Sequence, residues 1–149
     1  MKTYKKCALG GTFSRFHRGH QELILTGIKL SEHVVIGITT EEYLDKRPKK
    51  HPVESYEVRA LRVLLFCIEH STKGQTVEII PLDDPYGPTT ADRDIECIVV
   101  SEETFLTATE INKIRVEKGL PPLDIVAIEM IATPSNKEHL TSTKLWLFD

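Results

Sequence analysis

Apolar residues fall into two alternating rhythms along this chain. Short, nearly continuous apolar runs occupy residues 6–10, 34–38, 77–82, 95–100 and 124–131. The second of them, Val34-Val35-Ile36-Gly37-Ile38, is apolar on both faces, as a strand buried inside a parallel sheet must be. Between the runs the apolar positions recur at helical spacing. Leu23, Ile24, Gly27, Ile28 and Leu30 mark a helix over 17–30, and Val58, Leu61, Leu64, Leu65 and Ile68 mark one over 54–70. A third helix spans 101–118, with Glu102 and Glu103 suited to its first turn and Gly119 and Pro121-Pro122 stopping it. A last helix is expected from about Ser142. Strands alternating with helices through short connections predict an α/β fold: a Rossmann-like, doubly wound five-stranded parallel sheet with helices on both faces. Motifs after strands one, four and five must converge, which the order 3-2-1-4-5 achieves with the switch between strands one and four.

Composition narrows the class. The 149 residues are 40% hydrophobic and 28% charged, which suits one domain over 1–149 with a substantial core. A net charge of -3 provides no basic field, so nucleic acid is not an expected partner. No apolar run approaches the roughly 18–20 residues of a membrane helix, and the apolar stretch near the N-terminus is too brief for a signal-peptide core. A soluble cytoplasmic protein is the expectation. Cys7, Cys67 and Cys97 are far apart and each sits in an apolar stretch, which reads as buried reduced thiols.

In a doubly wound sheet, ligands bind beyond the carboxyl ends of the strands. After the first strand comes Gly10-Gly11-Thr12-Phe13-Ser14-Arg15-Phe16-His17-Arg18-Gly19-His20. It is neither the dinucleotide GxGxxG nor a Walker loop. Two glycines still let backbone amides approach a ligand, and a helix then begins with its positive end facing the same space. His17 and His20, three apart, share one face of its first turn. The combination describes an anion site suited to polyphosphate. Half of a zinc site or a surface pair are the alternatives.

The run GTFSRFHRGH resembles the signature of the HxGH nucleotidylyltransferases. TTEEYL, YEVR, DPYGPT, IECIVVSEET, INKIRVEKGLPPLDIV and TSTK follow in the order of the archaeal and eukaryotic type of phosphopantetheine adenylyltransferase. The resemblance implies transfer of an adenylyl group from ATP to 4′-phosphopantetheine, with Mg2+ carried by the nucleotide and no metal held by the protein. It implies that Gly11, Thr12, Phe13, His20, Thr141, Ser142 and Thr143 bind ATP, the last three as a hydroxyl-rich turn on the final helix. His17 and His20 match the two signature histidines. A lysine from the basic stretch 46–51 reaches the reacting phosphates in this family, and Lys46 and Lys50 are the candidates. Thr12, Asp84, Tyr86 and Arg115 are assigned to the acceptor.

The chemistry suits these residue types. A phosphate already anionic at neutral pH attacks the α-phosphorus in line, so positioning and charge stabilisation replace a general base. Loop capping is the other reading of Asp83 and Asp84, a surface salt bridge that of Asn112 and Arg115, and core packing that of Phe13 and Phe16. One departure stands out: Trp146 occupies the position where the family pattern has arginine. Two rivals follow, namely an HxGH transferase with another nucleotide or acceptor, and a non-catalytic nucleotide sensor.

Overall fold

A computed structural model describes residues 2–46, 52–133 and 136–148, and from residue 129 onward its backbone alone. The sheet runs β3-β2-β1-β4-β5-β6. Its strands are β1 (Tyr4–Gly11), β2 (Ser31–Thr39), β3 (Thr76–Leu82), β4 (Cys97–Val100), β5 (Asp124–Thr133) and β6 (Asn136–Phe148). The first five pair in parallel, in the order 3-2-1-4-5 that the motifs required. Helices α1 (Arg18–Leu30), α2 (Glu41–Lys46), α3 (Tyr56–His70) and α4 (Phe105–Glu117) make the connections, with a 3-10 turn at Gly87–Thr90.

The pleat sorts side chains cleanly between two faces. Cys7 and Leu9, Val34, Ile36 and Ile38, and Cys97 and Val99 meet Leu23, Ile24 and Ile28 of α1 and Val63 and Cys67 of α3. On the other face Ala8, Ile98, Val100, Ile125 and Ala127 meet Ala108 and Ile111 of α4. Two helices therefore cover one face, while α4 covers only the β4–β5 half of the other. The uncovered half of that second face, over β1, β2 and β3, becomes the floor of a cavity. All three cysteines are buried and free.

Two sequence expectations change. The segment around Ser142 is not a helix but β6, which pairs antiparallel to β5 with Ser142 opposite Ile131 and Trp146 opposite Ala127. The β-branched and aromatic residues Thr141, Thr143, Trp146 and Phe148 favour the extended state, and that preference outweighs the helix signal of the hydroxyl turn. The second change concerns α3. Val58, Leu61, Leu64, Leu65 and Ile68 do not face the core but are 41–66% exposed. The core side of the helix is Arg59, Val63 and Cys67.

Arg115, expected at the acceptor, is instead a strut. It is 1% exposed. It donates from Nη1 to the carbonyls of Thr89 and Asp92, from Nε to Pro121 and from Nη2 to Ile95. Neighbouring Asn112 brackets Leu123, donating to its carbonyl and accepting from its amide. Together they hold the loops before β4 and β5 onto α4. Replacing Arg115 by methionine keeps much of the bulk but strips these carbonyls of their donor. We expect a loss of at least about 3 kcal/mol in unfolding free energy by denaturant titration. Any activity lost should follow the folded fraction.

Candidate active site

The cavity lies at the carboxyl ends of the strands, where strand order reverses between β1 and β4, and encloses about 740 Å³. Its floor is built from small residues. Gly10 and Gly37 face it, and a Cβ on Gly37 would come within 2.6 Å of the Leu82 side chain. Leu82 thus lies flat across β1 and β2 and leaves the space above open.

The loop from β1 to α1 forms one wall, with Gly11, Thr12, Phe13, His17 and His20 all lining the cavity. Phe13 and Arg15 are held at φ 56° and 52°, left-handed conformations that cost a non-glycine residue free energy. Phe13 is also 1% exposed and sits 5.2 Å from the His20 ring, so its side chain anchors the loop in the core.

The two histidines cap their own helix. His17 precedes the first turn of α1, and its Nδ1 accepts from the Gly19 amide at 3.0 Å. His20 Nδ1 accepts from the His17 amide at 3.3 Å. This is a reciprocal capping box built from imidazoles in place of the usual hydroxyl and carboxylate. With both Nδ1 atoms accepting, the ring proton of each neutral imidazole sits on Nε2. The rings stack at 3.8 Å. Burial first, then the neighbouring His17, pull the His20 pKa from 6.5 to about 4. His20 is therefore a neutral donor at neutral pH.

A second set of residues, which the sequence reading did not single out, fixes the loop from behind. Arg59 is 0% exposed and donates from Nη1 to the carbonyls of Thr12 and Thr39, and from Nε to that of Glu54. Its Nη2 is the one buried side-chain polar atom among the described residues without a partner. Thr39 donates its hydroxyl to Thr12 Oγ1 at 3.2 Å, which leaves the Thr12 proton available to a ligand. Glu54 accepts from the Ser14 hydroxyl at 2.8 Å, the Arg15 amide at 2.9 Å and Arg62 at 2.9 Å. Hydrogen bonds from its own amide and that of Arg15 hold the Glu54 carboxyl down to about 2.

The opposite wall comes from the loop after β3 and the start of α4. Asp84 and Tyr86 line it, along with Ser101, Glu103, Thr104 and Thr107, which the sequence reading had not assigned to a ligand. Asp84 Oδ1 accepts from the amides of Tyr86 and Gly87, so it also caps its loop. The Tyr86 hydroxyl donates to Glu110. Tyr43 and Leu44 of α2 reach the cavity, whereas Lys46 ends that helix exposed and is not part of the lining. Lys50 lies outside the described residues, as do the side chains of Thr141, Ser142 and Thr143. The backbone of those three lies at the carboxyl end of β5, the same end of the sheet as Thr12.

The profile described as cytidylyltransferase-like matches residues 8–145. The chain belongs to the cytidylyltransferase-like family. Within that family it is 40% identical over 142 residues to a phosphopantetheine adenylyltransferase of Methanopyrus kandleri, covering 95% of this chain and 88% of that protein. It is 41% identical over 128 residues to one from Methanosarcina mazei, covering 85% and 80% respectively. A solved structure, described as a protein with unknown function from Archaeoglobus fulgidus, superposes with a TM-score of 0.72 at 36% identity, covering 82% of this chain and 87% of that one. No helix among the described residues is long and apolar enough to cross a membrane.

Two outcomes check this geometry. Glu54→Ala frees Ser14 and the Arg15 amide without opening the core. Hydrogen exchange should therefore accelerate at Arg15 while the sheet stays protected, and turnover should fall ten- to hundredfold from loop misplacement. The second outcome concerns pH. Below pH 6.5 the unfolded chain takes up a proton at His20 that the folded chain refuses until about 4. His20 therefore contributes stability above pH 6.5 that is lost as pH falls toward 4. The melting temperature of His20→Asn, subtracted from that of the parent, should show a fall of a few °C across that window and none between pH 7 and 8.

Proposed function

We propose that this chain transfers the adenylyl group of ATP to the phosphate of 4′-phosphopantetheine, releasing pyrophosphate and dephospho-coenzyme A. The observation that carries the reading is the imidazole capping box. It spends both Nδ1 atoms on the backbone and leaves two Nε2–H donors at the N-terminus of α1, in the cavity at the strand switch. The names of the archaeal relatives supply the reaction, and the fit of the chain to most of their length supports carrying it over.

In this reading the acceptor phosphate attacks the α-phosphorus in line and pyrophosphate departs on the opposite side. The nucleophile is already ionised, so no residue has to remove a proton from it. The backbone after Gly10 and the positive end of α1 receive phosphate oxygens. Thr12 donates its hydroxyl, and His17 and His20 donate from Nε2 to charge that builds on the oxygens around the α-phosphorus. Lys46, at the end of α2, or Lys50 would add positive charge. Thr141, Ser142 and Thr143, whose backbone lies on β6 at the same end of the sheet, are assigned to the triphosphate. Asp84, through its capped loop, and Tyr86 shape the acceptor side opposite.

No three His, Cys, Asp or Glu side chains cluster as a metal site among the described residues. Asp84 and Glu103 are the carboxylates of the cavity wall, and one Asp84 oxygen is already engaged by two amides. These residues suit a magnesium ion held by the phosphates themselves, and such an ion would neutralise charge on the departing pyrophosphate.

The family name leaves CTP as the competing nucleotide, and the DPYGPT and VVSEET segments favour ATP. Pyrophosphate release should require ATP and 4′-phosphopantetheine together and should be negligible with CTP or without acceptor. Tight ATP binding with no turnover would instead establish a sensor. His20→Ala should lose about 10²–10³ in rate. A loss below tenfold in a folded variant would remove His20 from the transition state.

A further inference from the structure

We propose that Phe16 is a positioning residue for His20: its ring, stacked on the imidazole, fixes the plane of that ring and with it the aim of the Nε2–H donor. The catalytic consequence rests on the adenylyl transfer proposed above, and the orientation itself does not. His20 Nδ1 accepts one backbone hydrogen bond, from the His17 amide at 3.3 Å. That is longer than the usual distance of about 2.9–3.0 Å, and one bond at one atom leaves the ring free to turn about it. A donor that serves a transition state has to hold its direction within about 10–20°. Something besides the hydrogen bond must therefore hold the plane.

Three rings neighbour the imidazole. His17 lies 3.8 Å away with 19° between planes, Phe16 5.9 Å away at 18°, and Phe13 5.2 Å away at 58°. Two of them are committed elsewhere. His17 presents its own Nε2–H, and Phe13 anchors the loop in the core at 1% exposure. Phe16 is half-buried, does not line the cavity, and sits one residue before the cap of α1. An apolar side chain at that place ordinarily packs on the fourth residue of the helix. Here the fourth residue is the polar Gln21, and Phe16 stacks on its neighbour His20. Phe66 of α3 in turn meets the Phe16 ring edge-on, 5.5 Å away at 69°. Offset-stacked and edge-on contacts are the two that aromatic quadrupoles favour. Both phenylalanines pack against the core that α1 and α3 share. Helix α3 therefore braces the loop backbone through Arg59 and the imidazole through Phe66 and Phe16.

Nitrogen-15 spectra of the full chain labelled at histidine, recorded without substrates at about pH 7.5, test this. His20 is neutral there, and its signals are assigned by their loss in His20→Asn. A ring held with Nδ1 accepting keeps the Nδ1 and Nε2 shifts far apart, and a ring that turns lets the two tautomers mix and the shifts converge. The parent should show the separated pair. Phe16→Leu, apolar but without a ring, should draw the shifts together and lower kcat about tenfold, with KM for ATP changed less than about twofold. Phe16→Tyr should restore both. Phe66→Leu lies outside the loop and should move the same shifts in the same direction by less, which keeps the test decisive if the substitution at 16 upsets folding. Parent-like shifts in both leucine variants overturn the proposal. So does a Phe16→Leu variant that loses turnover with its imidazole shifts unmoved, since packing alone would then be its role. A parent that releases no pyrophosphate from ATP and 4′-phosphopantetheine would overturn the adenylyl transfer, while the spectra still accept or reject the stacking.

Discussion

One guanidinium with no exposed surface holds the working end of the molecule together. Arg59 reaches from α3 to the carbonyl that ends β2 and to the carbonyl of Thr12, just after β1. Each is a place where a strand has stopped and its backbone has lost its ladder partners. A buried charge is tolerated here because these carbonyls need donors that the sheet no longer supplies. Adjacent strand ends are thereby locked at one height, and the loop that leaves β1 can keep two left-handed residues that no isolated peptide would hold. The layout on the other side of the sheet is similar, with Arg115 serving the loops before β4 and β5. The two arginines act as interior fasteners at the points where regular structure gives way.

The cavity follows from unequal coverage. α1 and α3 span the sheet on one side, and α4 falls short on the other. Small residues at Ala8, Gly10 and Gly37 keep the exposed floor low, and Leu82 closes it without filling it. Against this floor the histidines do two jobs with different atoms. Their Nδ1 atoms finish the helix and their Nε2 atoms are turned loose. A side chain that caps and presents a donor at once is held more rigidly than one anchored by its rotamer alone, and such rigidity is what electrostatic preorganisation needs.

How much of this was legible in the sequence depends on whether a residue's job is local. The strands, their order and the place of the β1–α1 loop at the cavity were readable, because runs of β-branched residues, a glycine pair and two histidines three apart carry their meaning within a few positions. The Asp84 cap was readable as well, since it acts on the next residues along the chain. Arg59 and Arg115 were not, because most of their partners lie 20 or more residues away and only burial gives them away. Helical periodicity located α3 but gave the wrong face: the apolar stripe that marks the helix points outward, and the core side includes an arginine. In β6 a hydroxyl-rich turn suggested a helix start where β-branched and aromatic residues favour an edge strand.

The wall of the cavity contains no lysine or arginine among the described residues, and the imidazole of His20 is uncharged at neutral pH. From those residues a polyanion receives hydrogen bonds and a helix end rather than fixed positive charge. Neutral donors in a recess are little affected by the ionic atmosphere that screens exposed ion pairs over about 8–10 Å. Affinity in such a recess depends on alignment more than on ionic strength.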